Sequence, residues 1–168
     1  MQNVIRGRVR KYGANINTDL ITPAYTVRMP MEVMLQHLME GVDPEFAKKV
    51  QPGDILVAGP NFGSGSSRES APRCLKAAGI SAVISPLFAR IFYRNAINIG
   101  LPVLSLQDTD GINDGDELEI DPLAGTIKNL TTGRQYTCDR YTENIMELIR
   151  DGGLIAHLEK QFASDENR

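Results

Sequence analysis

Three short apolar runs constrain this chain more than any other feature. Ile55-Leu56-Val57-Ala58, Ile80-Ser81-Ala82-Val83-Ile84 and Leu101-Pro102-Val103-Leu104 stand between turn-forming residues, as strands buried on both faces do. Two stretches of helical character separate them, from about Glu69 to Ala78, closed by Gly79, and from Leu87 to Ile97. Strand, helix, strand, helix and strand in that order predict right-handed crossovers and a parallel segment of sheet.

The flanking segments predict further elements. Val4 to Arg10 partly alternates apolar and charged residues, as a strand with one wet face would. Tyr12 to Asp19 reads as a turn-rich loop, and Leu20-Ile21-Thr22-Pro23 as a short extended piece, because the residue before proline avoids the α region. Met31 to Met39 has nearly helical spacing, with Pro30 suited to the first turn and Gly41 to the stop. Its methionine-rich stripe reads as core packing. His37 lies on that stripe without a partner at metal-ligand spacing and reads as an ordinary histidine. Asp43-Pro44-Glu45 opens a short helix through Val50. Downstream, Glu117–Ile120, Thr126-Ile127 and Arg134–Thr137 read as antiparallel strands, and Thr142–Ile149 and Leu154–Phe162 as helices. The polar tail from Ala163 to Arg168 is expected to fray. The expectation is one α/β domain over residues 1–168, a partly parallel sheet with flanking helices and an antiparallel addition.

Composition narrows the function classes. At 168 residues, 42% hydrophobic and 23% charged, the chain has material for a core and is neither disordered nor a small disulfide scaffold. No apolar run approaches the roughly 18–20 residues that span a bilayer, and Met1 to Arg6 lacks a signal-peptide core. A cytosolic protein with no membrane association is therefore expected. Cys74 and Cys138 are the two cysteines, too few to ligate an iron–sulfur cluster or a structural zinc, and a reducing compartment disfavours a disulfide. Residues 61–100 hold five Lys/Arg and one Asp/Glu, in a chain whose net charge is −3. That basic middle is either a solvated face or a site for a small anion. The acidic whole and the lack of a long basic stripe argue against nucleic acid.

The chemistry concentrates in Phe62-Gly63-Ser64-Gly65-Ser66-Ser67-Arg68-Glu69, between a buried strand and a helix. Glycines let the backbone approach a ligand, free N–H groups before a helix favour an anion, and Arg68 can fork onto a carboxylate. No Gly-Lys-Ser/Thr follows, the dinucleotide fingerprint is incomplete, and no histidine lies near. Two readings stand side by side: a carboxylate- or phosphate-binding loop, and a helix cap in which Ser66 caps and Glu69 completes a capping box.

Gly63-Ser64-Gly65-Ser66-Ser67-Arg68-Glu69-Ser70-Ala71-Pro72 resembles the G-x-G-S-S-R-E-H-A signature of the aconitase superfamily. Asn17-Thr18-Asp19 with Ile21-Thr22-Pro23-Ala24, and Phe88 to Pro102, resemble two further blocks of that family in the same order. The resemblance covers about residues 5–105 and is closest to the separate small subunits of isopropylmalate dehydratases and homoaconitase-type enzymes, which correspond to the swivelling domain. It implies a swivelling β/β/α fold and a hydro-lyase that isomerises a hydroxy dicarboxylate by dehydration and rehydration, most simply 2-isopropylmalate in leucine biosynthesis. A homoaconitase-type or 2,3-dimethylmalate-type dehydratase and a non-catalytic anion-binding module are the alternatives. It implies Ser66 as general base and Arg68 as carboxylate clamp, with Ser67, Arg28, Val27 and Met29 toward the substrate and Asp19 and Gly65 in support. It implies that this chain binds no cofactor, and that a large partner subunit brings a [4Fe–4S] cluster. Val27 and Met29 flank Arg28 where the isopropylmalate pattern shows Tyr-Leu-Arg-Thr, and Ser70 stands where the family usually has His.

Overall fold

The computed structural model describes residues 3–66 and 69–167. The apolar runs form β2 (Ile55–Val57), β3 (Ala82–Ser85) and β4 (Val103–Ser105), and the N-terminal alternation forms β1 (Ile5–Lys11). The later segments form β5 (Glu117–Asp121), β6 (Thr126–Asn129) and β7 (Gln135–Thr137). Together they make one seven-stranded sheet in the order β4-β3-β2-β1-β5-β6-β7. β1 to β4 pair in parallel, β5 to β7 are antiparallel, and β1 is the seam, with Val9 opposite Ile55 on one side and Ile5 opposite Ile120 on the other.

The sheet has a core on each face, and β2 shows why its sequence is uninterruptedly apolar. Leu56 packs into one core with Phe62, Val83 and Val103, while Ile55 and Val57 pack into the other with Leu104, Leu118 and Ile127. All three β2 side chains are fully buried, each contributing about 1.5–3 kcal/mol relative to exposure. Helices α2 (Met31–Gln36), α4 (Ser70–Ala77) and α5 (Arg90–Asn98) pack residues into the first core. Helix α6 (Glu143–Arg150) packs Met146 into the second, and the Thr142 side chain caps it by accepting from the Ile145 N–H. Both cysteines are free and buried, Cys74 in the first core and Cys138 in the second, which separates them by the sheet.

Four local expectations are corrected. The piece read as extended before Pro23 contains a helix, α1 (Thr18–Ile21), begun by the Asn17 side chain accepting from the Leu20 N–H at 2.9 Å. Only Thr22 is extended, as its place before proline requires. The helix expected over Met31–Met39 stops at His37, because Met39 turns into the left-handed region with φ 60°. There its N–H donates to the Ile21 carbonyl at 2.8 Å and its side chain is fully buried. That conformation costs about 1–2 kcal/mol, which burying a methionine offsets. The helix expected through Val50 shrinks to α3 (Phe46–Lys49). The tail expected to fray is helical, since α7 runs Leu154–Glu166 with no buried residue. Among the described residues, no helix is long and apolar enough to cross a membrane.

Candidate active site

Two neighbouring parallel strands deliver their following loops to one place. β1 leads into residues 12–17 and β2 into residues 58–66, at the carboxyl ends where ligands meet parallel sheets. The loops are laced together. Gly59 N–H donates to Gly13, Asn15 N–H to Pro60, Gly63 N–H to Ile16 and Thr18 N–H to Ser64, all within 2.7–3.0 Å. On its other flank the second loop holds the start of α5, with Phe62 N–H donating to Leu87 and Ala89 N–H to Phe62, both at 2.9 Å. Its floor is aromatic: Phe62 meets Phe92 edge-on at 5.2 Å, and a Cβ on Gly63 would lie 2.3 Å from the Phe92 ring.

Ser66 ends the described part of this loop, half-buried. Its N–H donates to Thr18 Oγ1 at 3.2 Å, and the two hydroxyl oxygens are 3.4 Å apart. The N-cap of α4 is Glu69, with no side-chain cap bond. The capping-box reading placed that N-cap at Ser66, three residues earlier. Gly65 has φ 115°, and a Cβ there would meet Thr18 Oγ1 at 2.9 Å, so glycine leaves room for the threonine that holds Ser66. Ser67 and Arg68 lie outside the described residues. Asp19 is exposed in the first turn of α1.

The remaining expected residues sit on the loop from Pro23 to Pro30, which begins with a short 3-10 turn at Ala24–Thr26. Both ends of that loop rest on α4. Thr22 Oγ1 lies 3.5 Å from Ser70 Oγ, and the Cys74 thiol reaches Met31 Sδ at 3.7 Å. Val27, Arg28 and Met29 thus lie on a loop whose two ends rest on the helix that follows Ser66. Val27 is half-buried and Arg28 and Met29 are exposed. Ser70 faces the loop's entry.

The aconitase C-terminal domain family matches residues 3–109. This chain belongs to that family. It is 51% identical over 168 residues to the isopropylmalate/citramalate isomerase small subunit of Methanocaldococcus jannaschii, covering 99% of this chain and 100% of that one. It is 51% identical over 159 residues to 3-isopropylmalate dehydratase small subunit 1 of Thermotoga maritima, covering 94% and 96%. Likeness to the homoaconitase small subunit of Methanothermobacter thermautotrophicus is 50% over 159 residues, covering 94% and 92%. The solved structure of 3-isopropylmalate dehydratase from M. jannaschii superposes with a TM-score of 0.91 at 41% identity, covering 98% of each chain. The chain is accordingly a small subunit of the hydro-lyase type, with the aconitase-like fold the resemblance implied.

A cluster does not fit this family member's own side chains. Its two cysteines lie in different cores, Cys74 in the first and Cys138 in the second, and burial raises both thiols, Cys138 to about 11. Among the described residues no group of three or more His, Cys, Asp or Glu could hold a metal ion. The residue that sequence reasoning missed is Thr18. Its signal was its place in the Asn17-Thr18-Asp19 block, where Asp19 drew attention as the charged member.

Proposed function

We propose that this chain is the small subunit of a heteromeric dehydratase that isomerises 2-isopropylmalate, with Ser66 as the base that removes the proton next to a substrate carboxylate. The observation that carries the reading is Ser66, half-buried at the carboxyl ends of β1 and β2, with its hydroxyl 3.4 Å from that of Thr18.

A serine hydroxyl is a weak base unless its oxyanion is stabilised. Because Thr18 Oγ1 takes the Ser66 N–H, the Thr18 proton is available to point at Ser66 Oγ. Donated there, it favours negative charge on that oxygen. The 3.4 Å separation is long for such a bond, and closure around substrate shortens such contacts. Arg68 and Ser67 complete the reading as carboxylate clamp and oxyanion partner, and Arg28 as a second carboxylate contact. Departure of the hydroxyl calls for a Lewis acid, which in this reading the large subunit supplies as a [4Fe–4S] cluster. The active unit is then a cytosolic complex of the two subunits, its site at their contact.

Relatives named for isopropylmalate, citramalate and homoaconitase chemistry stand at 51%, 51% and 50% identity. General likeness therefore does not choose the acid. The choice rests on residues 27–29, where an exposed Met29 offers an apolar contact suited to an isopropyl group. The test is reconstitution with a cluster-bearing large subunit. Ser66→Ala should lower kcat by about 10³-fold while leaving assembly and Tm unchanged. Full turnover by Ser66→Ala refutes the base, and a wild-type complex inactive on all three acids refutes the function.

A further inference from the structure

We propose that Tyr25, held by Glu40 and His37, is a clasp that fixes the Val27-Arg28-Met29 segment in register, making Tyr25 a positioning residue for substrate selection. This rests on the reading that the segment faces the variable substituent of the acid.

Beyond the buried Thr26 and the two ends resting on α4, little holds the segment. Within the loop the bonds are local: Thr26 Oγ1 donates to Pro23 at 2.7 Å, Val27 N–H to Ala24 at 3.4 Å and Met29 N–H to Thr26 at 2.9 Å. Among the described residues, Tyr25 is the one side chain of residues 23–30 that hydrogen-bonds outside the loop. Its hydroxyl donates to Glu40 Oε1 and lies 3.3 Å from His37 Nδ1. Glu40 Oε2 is 2.8 Å from the same His37 nitrogen, and the two rings meet edge-on at 5.7 Å. One carboxylate therefore grips both partners. Tyr25 is 60% exposed, so these bonds, more than burial, hold its side chain.

The receiving side of the clasp is rigid. Glu40 follows Met39, the left-handed residue whose side chain is fully buried and whose N–H is bound to Ile21. Strain of this kind persists only where the surroundings over-determine it. His37 is the residue that ends α2. The bonds from Tyr25 and His37 also hold the Glu40 carboxyl below the usual carboxylate range, and the Tyr25 hydroxyl is raised in turn. At neutral pH the clasp is an ionised acceptor facing a protonated phenol, the stronger kind of hydrogen bond.

Two measurements test this together, steady-state kinetics of the reconstituted complex and amide hydrogen exchange of the full chain. Tyr25→Phe and Glu40→Ala should each raise KM for 2-isopropylmalate about fivefold with kcat within about twofold, and narrow the preference over citramalate. Glu40→Gln, which keeps an acceptor, should recover about half of that loss. The Val27 and Met29 amides should exchange about fivefold faster in Tyr25→Phe. Unchanged KM and preference overturn the proposal, even where exchange rises. A KM shift without faster exchange also overturns it, because Tyr25 would then be touching substrate itself. Should Glu40→Ala fail to fold, Tyr25→Phe decides alone. A wild-type complex that turns over none of the acids defeats the functional reading, and the exchange comparison then decides the clasp.

Discussion

The two halves of the sheet share β1 and differ in what their connections can do. β2, β3 and β4 are buried along nearly their whole length, whereas β5 and β6 alternate buried and wet residues. Parallel strands covered on both faces must be joined by helical crossovers, so their carboxyl-end loops lie side by side with polar groups left over for a ligand. The antiparallel strands are joined by tight turns, and their buried polar groups serve the turns themselves. Asp116 Oδ2, for example, accepts from the Asn129 side chain and the Asn113 N–H, both at 2.8 Å. One half gathers its loops at one end of the sheet, and the other spends its polarity on its own architecture.

That contrast can be broken by substitution. Gly65→Ala should cost the reconstituted enzyme about 10²-fold in kcat, because the new methyl displaces the Thr18 hydroxyl that holds Ser66. A stopped assay on the assembled complex measures it, and near-normal turnover would mean the loop is not held through Thr18. Asp116→Ala should do the reverse, lowering the free energy of unfolding by about 2 kcal/mol while leaving the kinetic constants unchanged. Urea titration alongside the same assay separates the two effects. Thr18→Val should lower kcat about tenfold, the size of one lost hydrogen bond to a charged group, with a flattened pH profile.

The smallest expected effect is electrostatic. The Asp43 carboxyl is held below its usual range by Lys49 first, with the Tyr12 hydroxyl and the Glu45 N–H adding to it. A lowered folded-state value means the contribution is present above the ordinary aspartate range and lost as pH falls through the lowered one. Wild type should therefore lose a few tenths of a kcal/mol more than Asp43→Asn between about pH 5 and pH 2. Acid titration of unfolding, at equal salt, would show it. Parallel curves for the two proteins would deny the pair any role.

Legibility in the sequence followed the same division. β2 to β4 announced themselves through unbroken apolar runs, and β5 and β6 through alternation, because burial on two faces or on one writes itself into local composition. α1 was hidden because four residues carry no periodicity, and its bond to Ser64 depends on the fold. The stop at His37 was hidden because the apolar residues keep nearly helical spacing as far as Met39, and only the carbonyl of Ile21, distant in sequence, makes a left-handed Met39 worthwhile. At the site, glycine spacing pointed to the loop from Phe62 to Glu69, and the family resemblance singled out Ser66 within it. Thr18 could not be read as its partner, since a threonine 48 positions away looks like any turn residue until the sheet brings it home.

The contact between Gly63 and Phe92 has a consequence for descent. With no space between that backbone and that ring, the two positions behave as a single lock. A larger residue at 63 is admissible only if the ring shrinks, and the ring's own place is set by two further phenylalanines. On the proposed roles, lineages that alter the acid they process should drift at residues 27–29 and leave 63 and 92 untouched, so the loop before α4 keeps one shape while its clientele changes.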